Sequence, residues 1–129
     1  MAARLDHTII PVHDKEASAT FLAEILALGS PKPFGPSLLV EDGNGVTLAF
    51  IDAPPGDRYG TGRGHYAFLV TEEDFDGIFA RVKERGIRFW ADPAHQVEGV
   101  INNHNGGRGF LFDDPSGHNM EVLTRPHEA

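Results

Sequence analysis

A chain whose second half repeats its first has few folds open to it, and this sequence carries such a repeat. The stretch Gly64-His65-Tyr66-Ala67-Phe68-Leu69-Val70 echoes Asp6-His7-Thr8-Ile9-Ile10-Pro11-Val12. In each, a histidine opens an apolar, strand-like run, and a polar turn and an amphipathic helical pattern follow. Further on, Asp42-Gly43-Asn44-Gly45-Val46-Thr47-Leu48-Ala49 aligns with Asp114-Pro115-Ser116-Gly117-His118-Asn119-Met120-Glu121. The offset between the copies grows from 58 to 72 residues, and most of the extra length lies in residues 91–107. The chain therefore reads as two copies of one module.

Each copy follows the order strand, helix, three strands. In the first, residues 5–12 form a strand and Asp14 caps a helix whose apolar stripe is Ala17, Phe21, Ile25 and Leu28, with Gly29 as its stop. Residues 30–36 hold three prolines and a glycine and read as turn or edge. Strands at 37–41 and 46–52 flank a tight Asp42-Gly43-Asn44-Gly45 turn. Residues 54–64 form a Pro- and Gly-rich linker. Its glycines precede a strand and open no helix, so they do not make a phosphate loop. The second copy has a strand from His65, then a helix with Thr71 and Asp74 as a capping box. Phe75, Ile78, Phe79 and Val82 are its stripe and Gly86 its stop. Strands are expected at 87–90, 108–112 and 118–124. The long polar segment 91–107 between them has the length of a functional loop.

Composition narrows the function. A chain of 129 residues makes two half-size modules too small for separate cores, so one shared domain is expected, with module 1 at about 1–53 and module 2 at about 65–125. The formal charge of −8 disfavours nucleic acid as a partner. Arg81, Lys83, Arg85 and Arg88 cluster, and read as a solvated helix face. No apolar run approaches the ~20 residues of a membrane span. No basic stretch leads into an apolar N-terminal core, so the expected location is the cytoplasm. There is no cysteine, which excludes disulfides, thiolate ligands and a cysteine nucleophile.

The repeat also makes a chemical prediction. Equivalent first strands carry His7 and His65, and equivalent last strands carry Ala49 and Glu121. If the modules pair about a pseudo-twofold axis, these four positions converge, and three of them are metal ligands. Two histidines and one carboxylate suit a divalent ion, Fe, Mn, Ni, Co or Zn, and leave coordination positions open for water or substrate. Strand alternation puts Leu5 and Ile9 on the His7 face, Ala67 and Leu69 on the His65 face, and Asn119 and Leu123 on the Glu121 face, an apolar pocket with a few polar groups. The bland alternatives are satisfied structural histidines and a Glu121 that is exposed on a solvated face or salt-bridged to Arg125. His118 lies at odd spacing from Glu121 and reads as a turn residue. His13 and His127 read as surface residues, and His95 as solvent-exposed. His104 is the preferred proton carrier on the long loop. Arg108 and Arg125 are candidates for an anionic group of a substrate, or for surface ion pairs.

These stretches, and above all Asp113-Asp114-Pro115-Ser116-Gly117-His118-Asn119-Met120-Glu121, resemble the vicinal oxygen chelate superfamily. That group includes glyoxalases, bleomycin-resistance proteins, extradiol dioxygenases, fosfomycin-resistance thiol transferases and methylmalonyl-CoA epimerases. The resemblance implies an α+β fold of two βαβββ modules forming a cupped, mixed sheet around a metal. It also implies a homodimer, with the modules pairing within a chain or across the dimer. Departures sort the subfamilies. Glyoxalases and epimerases use a fourth ligand or base where this chain has Ala49. Extradiol dioxygenases add a tyrosine in the later strands, and none follows Tyr66 here. Fosfomycin thiol transferases match at the metal, but carry a threonine where this chain has Ile9. The expected function is a mononuclear metal enzyme that chelates two oxygens of a small-molecule substrate and stabilises an oxyanion, by lyase or isomerase, ring-cleaving dioxygenase or thiol-transferase chemistry. The alternative is a protein that binds and sequesters a small molecule without catalysis.

Overall fold

The computed structural model describes residues 2–53 and 62–126. Most of the expected linker, 54–61, lies outside them. The chain divides into two compact units, residues 1–62 and 63–129, and both are α+β.

The first unit runs β1 (His7–Val12), α1 (Lys15–Ile25), β2 (Lys32–Phe34), β3 (Ser37–Glu41) and β4 (Thr47–Asp52). Its sheet has the order β1-β4-β3-β2, with β1 parallel to β4 and the other pairs antiparallel. A parallel pair needs a crossover, and α1 with β2 and β3 supplies it. Register puts Ile10 beside Phe50, and Val40 beside Leu48. These four are buried with Val12, and α1 covers the sheet with Ala19, Leu22 and Ile25, all fully buried.

Asp14 caps α1 as expected, its carboxylate accepting from the Glu16 and Ala17 amides. The buried stripe is rotated from the expected one: Ser18, Ala19, Leu22, Ala23 and Ile25 face inward, while Ala17 is exposed and Phe21 half-buried. Small residues at 18, 19 and 23 let the helix approach the sheet closely, and bulky Phe21 stays at the rim. The helix also stops before Gly29. Ala27 takes the left-handed conformation (φ 55°), with Leu28 N–H donating to Ala23 O and Ala27 N–H to Glu24 O. Left-handed backbone costs a non-glycine residue about 1–2 kcal/mol, against about 0.5–1 kcal/mol of extra chain entropy lost by glycine. Ala27→Gly is therefore expected to stabilise the protein by up to about 1 kcal/mol. A fall in denaturation midpoint would contradict this.

The second unit runs β5 (His65–Leu69), α2 (Glu72–Glu84), a 3-10 turn (His104–Gly106), β6 (Gly109–Asp113) and β7 (Asn119–Leu123). Its sheet has the order β5-β7-β6, with β5 parallel to β7 and β6 antiparallel to it. Thr71 caps α2 through Asp74 N–H, and Glu72, Glu73 and Asp74 complement the positive end of the helix dipole. Phe75, Ile78 and Val82 are buried, and Gly86 (φ 66°) closes the helix. The packed side of the sheet carries Phe110, Phe112, Met120 and Val122, all fully buried. Phe110 meets Phe75, Phe79, Phe89 and Phe112 at ring distances of 5.3–5.8 Å.

The strand expected at 87–90 reduces to bridges at Trp90, which exchanges both backbone hydrogen bonds with Leu111 at 2.8 Å and also pairs with Glu98. Phe89 instead turns its carbonyl to the Gly99 amide, so the ladder does not extend. No helix among the described residues is long and apolar enough to cross a membrane.

Candidate functional site

The face of the second sheet opposite Phe110, Phe112, Met120 and Val122 gathers the polar groups. Register places His65, Asn119 and Asp113 side by side on β5, β7 and β6, and places Ala67, Glu121 and Leu111 side by side in the next row of the same face. His65 Nε2 lies 2.8 Å from Glu121 Oε1. The Glu121 carboxylate is 6% exposed and the imidazole 42%. A carboxylate this deep in a strand needs a charged or polar partner, and His65 reaches it from the neighbouring strand.

The first unit repeats this pattern without the carboxylate. His7 opens β1 beside Thr47, as His65 opens β5 beside Asn119, and Ile9 stands beside Ala49 as Ala67 stands beside Glu121. The sequence alignment of Ala49 with Glu121 is thus the structural equivalence. His7 is exposed, and its Nδ1 lies 2.8 Å from Asp6 Oδ2. Among the described residues, no three His, Cys, Asp or Glu side chains form one group able to hold a metal.

The remaining expected residues fall in different places. Arg108 fastens α2 to the sheet: Nε donates to Glu72 Oε1 at 2.8 Å, Nη1 pairs with Asp76 at 2.9 Å, and the guanidinium lies over Phe75. Hydrogen bonds from the Thr124 hydroxyl and then Arg108 hold the Glu72 carboxyl below its ordinary pKa. His104 is exposed in the 3-10 turn and, with Asn102, Asn105, Arg108 and Arg125, lines a small cavity that reaches Glu121 and Leu123. His118 is on the other side from Glu121, as its spacing implies. It closes the turn before β7, as expected, its amide donating to Asp114 Oδ1, and it is fully enclosed, its Nδ1 accepting from the Gly64 amide at 2.8 Å and its ring edge-on to Tyr66. Burial, and then the Asp114 carboxylate, push the Tyr66 phenol above its ordinary pKa.

His95 corrects the sequence reading most. It was expected in solvent, yet its side chain is only 15% exposed. The ring stacks on Trp90 at 3.8 Å, and Nε2 lies 2.8 Å from Asn119 Oδ1, beside His65 in the register. Its backbone is left-handed (φ 59°), a conformation that surrounding contacts must hold. One of these is Asp92, whose carbonyl accepts from the His95 amide at 3.1 Å and whose carboxylate accepts from the Val97 and Gln96 amides. Those bonds, Val97 first, lower the Asp92 pKa. A lowered folded-state pKa gives stability that is present above the unfolded value of about 4 and lost as pH falls through the folded one. Amide exchange over residues 92–97 is therefore expected to accelerate as pH drops below that value, and Asp92→Asn to remove the step. A pH-independent opening rate in the wild type, after correction for intrinsic exchange, would contradict it.

Comparison with known proteins places this arrangement. The family model described as the Glyoxalase/Bleomycin resistance protein/Dioxygenase superfamily matches residues 4–122. Glutathione transferase FosA of Serratia marcescens is 31% identical over 127 residues, 95% of this chain and 81% of that protein. Two solved structures, Oxidase ChaP-H1 and Oxidase ChaP-H2, are 48% and 50% identical. Their TM-scores are 0.91 and 0.92, and the matches cover 99% and 100% of this chain and 100% and 98% of theirs. On these matches, with two α+β units each opening on a histidine strand, the chain belongs to the glyoxalase/bleomycin resistance protein/dioxygenase superfamily.

Proposed function

We propose that this protein is a mononuclear divalent-metal enzyme in which His7, His65 and Glu121 hold the ion and a small substrate binds it through two oxygens. Members of the superfamily typically use a divalent metal and act on small molecules, often as dimers. The observation that carries the reading is the His65–Glu121 pair, 2.8 Å apart with the carboxylate buried. An imidazole nitrogen and a carboxylate oxygen are donors that a divalent transition ion takes, and these two already stand side by side. His7, its repeat equivalent, would supply the third donor, from the first module of this chain or of a partner copy in a homodimer. A divalent ion held there would supply Lewis acidity to a developing oxyanion.

This chain's own residues would do the rest. Ala67, Leu69 and Leu111, on the same face as Glu121, would give an apolar floor that limits water. Ala49 offers no fourth ligand and no base, which argues against glyoxalase and epimerase chemistry. Relatives at 48% and 50% identity are named oxidases, which favours oxidation of a small vicinal-oxygen substrate. Thiol addition is the second reading, favoured by the 31% identity to a glutathione transferase. The test is reconstitution of metal-free protein with Fe(II), Mn(II), Ni(II), Co(II) or Zn(II). Dioxygen uptake is then followed on a panel of vicinally oxygenated aromatics, and glutathione addition on fosfomycin. Metal-dependent turnover that Glu121→Gln abolishes supports the reading. Tight binding of panel members with no turnover under any metal would replace it with sequestration.

A further inference from the structure

The two modules differ at the residue before each candidate ligand histidine. In the first it is Asp6, whose carboxylate reaches His7 Nδ1 at 2.8 Å. In the second it is Gly64, which has no side chain and no room for one: a Cβ there would stand 2.8 Å from the Tyr66 ring. Gly64 is held instead by the residues that lead into β7. Its carbonyl accepts from the Asn119 amide at 2.8 Å, and its amide donates to His118 Nδ1 at 2.8 Å. In a parallel ladder of the His65–Asn119 register, the Gly64 amide would next meet the Gly117 carbonyl. Gly117 has already turned (φ 91°), its own amide donating to Asp114 O. The His118 ring supplies the acceptor in that place. A backbone amide only donates, so Nδ1 carries the lone pair and the proton of the neutral ring is on Nε2. The ring is 2% exposed. The His118 amide donates to Asp114 Oδ1 at 2.8 Å, its carbonyl accepts from the Asp114 amide at 2.9 Å, and Tyr66 lies edge-on to the ring. The matching turn of the first module has the same two bonds between Val46 and Asp42, both 2.9 Å, but the Val46 side chain has no acceptor to offer Asp6.

We propose that His118 is a positioning residue for the metal centre: its Nδ1 lone pair fixes the Gly64 peptide, and with it the start of β5, so that His65 stands beside Glu121 before an ion arrives. The proposal rests on the metal reading above. His118 lies on the face of the sheet opposite Glu121 and touches neither ion nor substrate. Its effect runs through the backbone. Among the described residues β5 pairs with β7 alone, and His65 is its first residue, so the ladder ends at the Gly64 peptide. Without the lone pair the Gly64 amide loses its acceptor, and the end of the strand frays. His65 is then ordered only when the ion binds, and ordering a group at that moment costs affinity.

Two substitutions separate this role from packing. In His118→Asn the amide oxygen stands close to the place of Nδ1 and can accept from Gly64. In His118→Gln the amide lies out at the Nε2 position, and the Gly64 amide is left without its acceptor. Asparagine is the smaller and leaves the larger void. A side chain that only packs would therefore be replaced better by glutamine, and one that positions Gly64 better by asparagine. Amide exchange of the metal-free protein, Mn(II) affinity by titration calorimetry and thermal unfolding are measured for the wild type and both variants. His118→Gln is expected to speed exchange at Gly64 about 3–10-fold, the worth of one hydrogen bond. It should weaken Mn(II) binding about 10–100-fold, the range for removing a group that orients a ligand. His118→Asn should keep both close to the wild type, although its unfolding midpoint is the lower of the two. Mn(II) affinities that follow the unfolding midpoints overturn the proposal, as does unchanged Mn(II) affinity in His118→Gln. A Gly64 amide that exchanges at the unprotected rate in the wild type also overturns it, and that result needs no variant to fold. Failure of the wild type to bind Mn(II) is a different result: it removes the metal reading, and this proposal with it.

Discussion

A chain carrying Glu121→Gln is expected to keep its fold and to lose divalent-metal affinity by more than 100-fold. Removing a group that only orients a ligand costs about 10–100-fold, and Glu121 is proposed as a ligand itself. Glutamine preserves shape, and its amide oxygen can still accept from His65, so the buried pair at 2.8 Å is replaced by a neutral hydrogen bond with no cavity. The amide is a poor donor to a divalent transition ion, and it brings no negative charge to the site. The separation of effects is the point. Thermal unfolding of the metal-free variant should track the wild type closely, while titration calorimetry with Mn(II) or Zn(II) should show the loss. Equal metal affinity in the two proteins would contradict the assignment.

Phe110→Ala is expected to be the most damaging single truncation in the second unit. Phe110 is fully buried and its ring meets four other phenylalanines. Two of these lie on α2, one just beyond it and one on its own strand, so the ring joins helix to sheet. Truncating such a residue costs about 3–5 kcal/mol, transfer and cavity terms together, against a total stability of about 5–15 kcal/mol. Chemical denaturation should show a midpoint lowered by a large fraction of its value. The loss should exceed that of Leu69→Ala, whose side chain is largely exposed. A loss below about 1 kcal/mol would mean the aromatic cluster is not the core of this unit.

How much of this was legible beforehand depended on whether the signal was local or tertiary. The repeat was legible because a histidine opening an apolar run, and an Asp-x-x-Gly turn leading into the last strand, are local patterns. The register then aligned Ala49 with Glu121 without further information. The α1 stripe was read one step off because Ala17, Ala19 and Ala23 make the helix nearly symmetric in apolarity. Which face is buried is decided by how closely the backbone can approach the sheet. The 87–90 strand was overread because β-branched and aromatic residues favour extended chain, yet only Trp90 finds a ladder partner in β6. His95 was missed for a similar reason. Its contacts are Trp90 and Asn119, the latter 24 residues away, and nothing in a polar, proline-flanked loop marks such a fold-back. Arg108 was visible as a cation, but its partners Glu72 and Asp76 lie 36 and 32 residues away on α2.

Whether His7, His65 and Glu121 bind one metal ion is decided by elemental analysis of protein purified without chelator or affinity metal. The wild type is expected to carry, or to take up on reconstitution, one divalent ion per chain. His7→Ala, His65→Ala and Glu121→Ala should each reduce that to a trace. Substoichiometric metal in the wild type, unaffected by all three substitutions, would rule out this metal site.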